Sequence, residues 1–175
     1  MEKFMKILED FIRHMEWTDK TILVDEQHNE LVIQGRFTIA GQYFSFFLVG
    51  DEPNEQFTLH IVYPFLVRAG KFVDACMLFN LINDENKYSS RITVRDNGLI
   101  SATTVLDVDS ISMKPEILEN MCSMGEMFVE NYIDDVSDIA LTSTTYEALR
   151  VTYPPCPPFT TEQQQNDSEV WGSRE

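Results

Sequence analysis

The chain has 175 residues and a net charge of −16, because 29 Asp and Glu outnumber 13 Lys and Arg. Apolar residues make up 43% of the chain and include twelve Phe, which is enough for a buried core and excludes a wholly disordered chain. Such a negative body repels phosphate groups, which argues against nucleic acid and membrane surfaces as partners. No apolar run approaches the roughly 20 residues of a membrane span, and the start at Met1 shows no signal-peptide core. We therefore expect an acidic cytoplasmic protein.

The first predicted element is an amphipathic helix over residues 2–16. Glu2 lies in its first turn, and Arg13 and His14 lie in its last, so each charge is at the end that the helix dipole favours. Its apolar residues recur at the i, i+3, i+4 spacing of a helix with one buried face. They are Phe4, Ile7, Leu8, Phe11, Ile12 and Met15.

After this helix the apolar period changes from 3.6 to 2, which predicts antiparallel strands with one buried and one solvated face. Ala40-Gly41 fits a two-residue hairpin loop. The segment 43–47 has aromatic residues on both faces of its strand, so one face is expected to meet a partner or a covering helix. The expected strands are residues 21–24, 31–39, 43–49 and 57–65.

A second helix is predicted over residues 69–83, and only two of the eleven residues from 72 to 82 are polar. A helix that is apolar nearly all round is covered on more than one side, and one sheet covers only one of them. The other side is expected to meet the C-terminal helix or a second subunit. Phe72, Cys76 and Phe79 are therefore candidates for a homodimer interface.

A hairpin and a long third helix complete the predicted domain. Asn97-Gly98 between two β-rich runs indicates a type I′ turn, in which both central residues have positive φ. The third helix is expected from Ser112, as its N-cap, to about Ala140. A weak continuation to Leu149 is opposed by the threonine-rich run at 142–145.

The composition changes near the C-terminus. Residues 1–149 are predicted to form a single α+β domain. Residues 150–175 are rich in proline and then polar, which is typical of a flexible tail that cannot bury a core.

No catalytic constellation is recognisable in the sequence. Cys76 and Cys122 lie in predicted helices and are expected to be buried. The three His are not at metal-ligand spacing to each other or to a Cys. A glycine-rich phosphate loop and a nucleophile elbow are both missing from the sequence. We expect no enzyme activity, no cofactor and no metal.

An acidic stripe runs along the third helix at i, i+4 spacing. Like charges so placed slightly destabilise a helix. Either the stripe is a solvated face that keeps the protein soluble, or it is a docking face for a basic partner or a cation. The candidate partner-binding residues are Glu126, Glu130, Asp134 and Asp138.

Two short acidic motifs suggest metal sites, and we reject both. The segment from Asp134 to Asp138 matches the magnesium pattern of prenyl-transfer enzymes, which are large all-helical proteins unlike this chain with its β hairpins. Asp107-x-Asp109 begins like a calcium loop, but Ser112 and Leu118 stand where that loop requires Gly and Glu.

The predicted order is α-β-β-β-(β)-α-β-β-α, an antiparallel sheet with helices packed on it. With Asn80 and Asn83 near the end of the second helix and the hairpin over 92–100, the chain resembles the YbjN-like family of bacterial sensory transduction regulators, over about residues 2–140. That family is similar in fold to type III secretion chaperones, which are small, acidic, usually dimeric and non-enzymatic. The resemblance implies a chaperone-like fold and carries no catalytic residues.

We thus expect a non-enzymatic protein-binding or regulatory module, dimeric, with a protein or peptide partner held at a sheet edge or an acid-rimmed groove. Two alternatives remain open. One is a type III secretion-type chaperone for an effector. The other is a divalent-cation-binding protein, or an enzyme, that uses the acidic C-terminal helix.

Overall fold

The computed structural model describes residues 2–85, 88–108 and 113–153. The α+β order predicted from the sequence is confirmed. Four strands separate the first two helices, so the fourth strand, which the predicted order gave in brackets, is present. The elements are α1 (Glu2–His14), β1 (Ile22–Asp25), β2 (Glu30–Ile39), β3 (Gln42–Asp51), β4 (Gln56–Leu66), α2 (Phe72–Glu85), β5 (Ser90–Val94), β6 (Leu99–Asp107), α3 (Pro115–Leu141) and α4 (Tyr146–Arg150).

The six strands form one antiparallel sheet in the order β1-β2-β3-β4-β6-β5. One face, here called the helix face, is buried under α1 and α3 and includes Phe46 and Leu59. The other, here called the open face, carries half-buried and exposed residues such as Phe47 and Val49. The strands at the two edges are β1 and β5.

The α3 helix lies very close to the helix face because Gly125 removes a side chain at the crossing. A Cβ at Gly125 would lie 2.8 Å from Leu59 Cδ2 and 3.1 Å from Ile61 Cδ1. The α1 helix packs beside it, and Phe4 stacks on Phe57 with ring centroids 4.6 Å apart. These contacts make the helix face the core of the molecule.

The N-terminal start of α3 differs from expectation, and its end agrees. Lys114 is the N-cap, while the expected cap Ser112 lies outside the described residues. The helix ends at Leu141, where the Thr142 hydroxyl donates to the Asp138 carbonyl at 2.7 Å. The backbone of Thr142 is extended, with φ −110° and ψ −172°, and its hydroxyl oxygen accepts the Thr144 N–H at 3.0 Å. A local bond of this kind competes with helical continuation, so α4 is a separate short helix.

One of the two hairpin turns agrees with expectation and the other differs, since Ala40-Gly41 does form the expected two-residue loop. The β2–β3 turn is type I′, because Ala40 and Gly41 have φ of 48° and 75°. At the β5–β6 turn only Gly98 has positive φ, 86°, so the type I′ turn expected at Asn97-Gly98 is wrong. The Gly98 N–H donates to the Arg95 carbonyl at 2.8 Å, which makes a type I turn followed by a bulge. This turn packs on Val67, whose N–H donates to the Gly98 carbonyl at 2.9 Å.

The C-terminal part of the domain is tied to the start of α2. The Lys71 ammonium donates to the Asp74 carboxylate at 2.9 Å and to the Thr144 carbonyl. The other Asp74 oxygen accepts the Tyr146 N–H at 3.2 Å, and the bond from Lys71 lowers the pKa of Asp74. Tyr153 donates to the Asp135 carboxylate at 2.6 Å. The chain is therefore still in contact with the domain at Tyr153.

Candidate partner-binding site

The β5 edge of the sheet is covered by a side chain from α2. The Asn83 side-chain nitrogen donates to the Ile92 carbonyl at 2.9 Å, and Asn83 Oδ1 accepts the Ile92 N–H at 2.8 Å. The carboxamide thus occupies the place of a neighbouring strand at the middle of β5. A new strand cannot pair there without displacing it.

The β1 edge is open by comparison. Within the described residues, β1 pairs with β2 alone. An edge strand presents a row of unpaired N–H and C=O groups to its surroundings. Its two central side chains, Leu23 and Val24, are 47% and 46% exposed. The strand therefore offers both backbone and apolar side chains to a partner.

A groove lies on each side of β1. The first, here called the α1 groove, has a volume of about 540 Å³ between α1 and Val24. The second, here called the open-face groove, also has a volume of about 540 Å³ and lies on the opposite face of the sheet. The α1 groove is lined by Glu2, Met5, Lys6, Glu9, Asp10, Arg13 and Val24. The open-face groove is lined by Leu23, Val24, Asp25, Glu26, Val32, Gln34 and Phe47.

The two grooves suit the alternating side chains of an extended peptide. Successive residues of a strand point to opposite faces of the sheet. A strand added to β1 would therefore place alternate side chains in the α1 groove and in the open-face groove. Met5 and Val24 give the α1 groove apolar walls, and Phe47 gives the open-face groove an aromatic one. The arrangement can select apolar residues on both faces of one bound segment.

The turn that follows β1 is held by one carboxylate. Asp25 Oδ1 accepts the N–H groups of Gln27 and His28 at 2.9 and 3.2 Å. The other oxygen, Oδ2, lies 2.9 Å from His28 Nδ1. This contact raises the pKa of His28 and lowers the pKa of Asp25. The end of the open edge is thus fixed by a titratable pair.

The predicted acidic stripe lies on α3 and lines neither groove. Glu130, Asp134 and Asp138 are exposed, and Glu126 is half-buried. Burial, with the nearby Glu130 charge second, raises the pKa of Glu126. In residues 2–85, 88–108 and 113–153, no group of three or more His, Cys, Asp or Glu is placed to hold a metal ion. Whether the stripe binds a partner stays a prediction.

The residues predicted for a dimer interface on α2 are separated by the fold. Phe79 is 3% exposed and belongs to the core of its own chain, and Phe72 is half-buried. Cys76 is exposed, so its expected burial is wrong. It shares the outward face of α2 with Val73 and Met77, two exposed residues that were not predicted from the sequence. Their i, i+3, i+4 spacing was the available signal.

The second cysteine is placed as expected. Cys122 is buried on α3, and burial raises the pKa of its thiol to about 12. A thiol that stays protonated is a poor nucleophile.

No helix in the described part of the chain is both long and apolar enough to span a bilayer.

The fold is similar to that of chains in known complexes. A chain in the HopA1–SchA chaperone–effector complex aligns over 75% of this chain and 93% of its own length, with a TM-score of 0.52 and 16% identity. A chain in the ExsC–ExsE complex aligns over 74% and 92%, with a TM-score of 0.50 and 10% identity. One in the complex of the Yersinia pestis type III secretion chaperone SycH with a stable fragment of YscM2 aligns over 78% and 98%, with a TM-score of 0.46 and 11% identity.

At 16% and 10% identity, the first two alignments show a shared fold. They confirm the chaperone-like fold expected from the sequence. No protein-family model and no curated protein sequence matches the chain. Membership of the YbjN-like family therefore stays a prediction.

Proposed function

We propose that this chain is a non-enzymatic module that binds a protein partner by accepting an extended segment of it beside β1. The observation that carries the proposal is the open β1 edge with a groove of about 540 Å³ on each side. In strand addition, backbone hydrogen bonds supply affinity, and pockets for alternate side chains supply specificity. The β1 edge offers both.

The partner is proposed to be an effector-type protein for which this chain acts as a cytoplasmic chaperone. The support is that the aligned HopA1–SchA structure is a chaperone–effector complex. A regulator of the YbjN-like kind would use the same edge for a different partner. Both functions belong to one class, the reversible binding of another protein.

A charge placed in the α1 groove should weaken binding of the partner protein. Val24 is 46% exposed, so Val24→Glu adds a carboxylate without burying one. The full chain would be used as bait in a lysate of the native cells, and retained proteins identified by mass spectrometry. We expect a retained protein to lose affinity by about tenfold or more.

Leu66→Glu is the matched control, because Leu66 is 51% exposed and lines neither groove. A protein held by the wild type and by Leu66→Glu, and lost from Val24→Glu, supports binding at β1. Equal retention by all three baits contradicts it. Hydrogen exchange in the complex adds a direct check, since strand addition must slow exchange of the β1 amides.

We also propose that a second copy of the chain covers the outward face of α2. Val73, Cys76 and Met77 form an exposed apolar strip there, of the kind that marks a protein interface. Light scattering should give twice the chain mass of 20.3 kDa, and Val73→Glu should return the monomer.

The control for this dimer is Val151→Glu, because Val151 is 81% exposed and follows α4. It should leave the mass unchanged. A wild-type mass of 20.3 kDa at every concentration up to the millimolar range would contradict the proposed dimer.

A further inference from the structure

The open face of the sheet carries a row of acidic residues that runs across the strands. The pairing places Asp25 opposite Glu30, Glu30 opposite Asp51, Asp51 opposite Gln56 and Gln56 opposite Asp107. Four of these five cross-strand neighbours are carboxylates. The five residues together are here called the acidic row.

Next to the acidic row, on the same face, is a row that is almost entirely apolar. It consists of Leu23, Val32, Val49, Thr58 and Val105, again in direct register. Leu23 and Val105 are each 47% exposed, and the three residues between them are half-buried. Here they are called the apolar row. In the described part of the chain, α1 and α3 lie on the other face, so neither helix covers it.

The neighbouring aromatic residues widen this apolar surface. Phe47 lies one row further along the open face and is half-buried, and Tyr43 on the same strand is 70% exposed. The sequence pattern predicts that one face of this aromatic strand meets a partner or a covering helix. Phe44 and Phe46 are buried on the helix face, so the open face is the one left without cover.

The dimensions of the apolar row fit one helix. Five strands at about 4.8 Å spacing span about 19 Å, which is the length of about 13 helical residues. Rows on one face are separated by about 7 Å, so the apolar row and Phe47 together match the breadth of a helix of about 10 Å.

The charges on the open face indicate the chemistry of the occupant. The acidic row borders one side of the apolar row, whereas Arg36 and Arg91 lie on the far side of the face. A second copy seated on this face would bring its own acidic row against this one, and like charges at close range oppose that contact. A partner with cations beside an apolar stripe complements this surface.

We propose that the open face binds an amphipathic helix of a partner protein, with its apolar stripe on the apolar row and a Lys- or Arg-rich flank above the acidic row. The proposed surface overlaps the open-face groove at four residues, which are Leu23, Asp25, Val32 and Phe47. Its other residues lie outside both grooves. The tests therefore use Val49, Val105, Glu30 and Asp107, which line neither groove, so that their outcome is separate from that of strand addition at β1.

Two synthetic peptides provide the probes. Both carry Leu at helical i, i+3, i+4 positions, and one has Lys and the other Glu along the same flank. Fluorescence anisotropy with the full chain should show binding of the Lys peptide only, weakening as salt rises. Val49→Glu and, as a second variant at an exposed position, Val105→Glu should each raise its Kd about tenfold or more.

A charge-matched control separates site binding from attraction to an acidic protein. Glu30→Gln with Asp107→Asn removes two charges from the acidic row and should weaken binding of the Lys peptide several-fold. Glu130→Gln with Asp134→Asn removes two charges from α3 and should leave it nearly unchanged. Equal losses in both pairs, or equal binding of the two peptides, would overturn the proposal.

Measuring self-association tests whether the open face is covered by a second copy of the chain rather than by a partner helix. If light scattering showed a dimer that Val105→Glu dissociates while Val73→Glu does not, a second copy would cover the open face. The proposed partner helix would then be wrong. Failure of the Lys peptide to bind the wild type at low salt would also reject it, whatever the result at β1.

Discussion

The two edges of this sheet differ in whether their outward backbone groups have a hydrogen-bond partner. At β5, the Asn83 carboxamide makes both hydrogen bonds that a neighbouring strand would make to Ile92. At β1, the side chains of Leu23 and Val24 are exposed, and the strand has one paired neighbour in the described structure.

This difference shows how a chain can direct strand addition to one side. An uncovered edge invites association with any other edge, and proteins limit this with short strands and charges. The open strand, Ile22–Asp25, has only four residues, and Asp25 and Glu26 follow its exposed apolar pair. The blocked edge needs no such protection because Asn83 already occupies it. One edge is thus open in the described structure, and it is the edge at which we propose that a partner segment pairs.

Opening the β5 edge should have the largest effect on the protein. Asn83→Leu removes both bonds to Ile92 and leaves its N–H and C=O without their partner. We expect a loss of about 2–3 kcal/mol in the free energy of unfolding, measured by chemical denaturation. With two open edges, the variant should also self-associate as its concentration rises, which light scattering would detect.

Asn80→Ala is the matched control for this prediction. Asn80 is exposed on the same helix, one turn earlier, so its loss should change the free energy of unfolding by no more than about 0.5 kcal/mol. If the two variants were equally stable, the carboxamide of Asn83 would not be what closes the β5 edge.

The sequence could predict the strands but not their positions in the sheet. The sequence indicated a strand at residues 21–24 and another in the β-rich run before Asn97-Gly98, yet which strand lies at an edge depends on pairing between distant segments. The resemblance drew attention to Asn83 without giving it a role. Its role depends on how α2 is rotated against β5, which local sequence does not encode.

The same limit explains the error on α2. Because the helix is apolar nearly all round, its hydrophobic pattern could not show which side faces the core. Cys76 was expected to be buried, and it is exposed. The amphipathic α1 has no such ambiguity, and its Phe4, Leu8 and Phe11 are buried as the pattern indicated. The grooves beside β1 form between segments that the sequence separates, so no local signal predicted them.

The hairpins provide a second, smaller contrast. The β2–β3 turn projects into solvent, since nothing lies within 4 Å of a Cβ placed on Gly41, and its Ala40 has a φ of 48°. Ala40→Gly should therefore stabilise the protein by up to about 1 kcal/mol. A Cβ on Gly98 would lie 2.9 Å from the Val67 carbonyl, so Gly98→Ala should destabilise it by about 2 kcal/mol.

Thermal unfolding of the Ala40→Gly and Gly98→Ala variants tests whether the first is stabilised and the second destabilised. Opposite shifts in Tm are expected, with the larger shift for Gly98→Ala. Two destabilising changes would mean that the β2–β3 turn does not hold Ala40 in its left-handed conformation.

The smallest expected effect is a pH dependence confined to the open edge. The hydrogen bond to Asp25 raises the pKa of His28 above its ordinary value of 6.5. A group whose pKa rises on folding stabilises the folded state below its unfolded pKa, and this contribution is lost as pH rises through the folded pKa. The pair is exposed at the surface, so the effect should be local.

The β5 edge provides the internal reference, because the Asn83 carboxamide does not titrate. From pH 6 to pH 8, amide exchange in β1, corrected for its intrinsic pH dependence, should become faster relative to exchange at Ile92. His28→Gln should abolish this difference, since glutamine keeps a polar side chain and has no charge to lose. If the difference persisted in that variant, His28 would not be the source. If the Ile92 amide showed the same change, the pH dependence would belong to the whole domain rather than to the open edge.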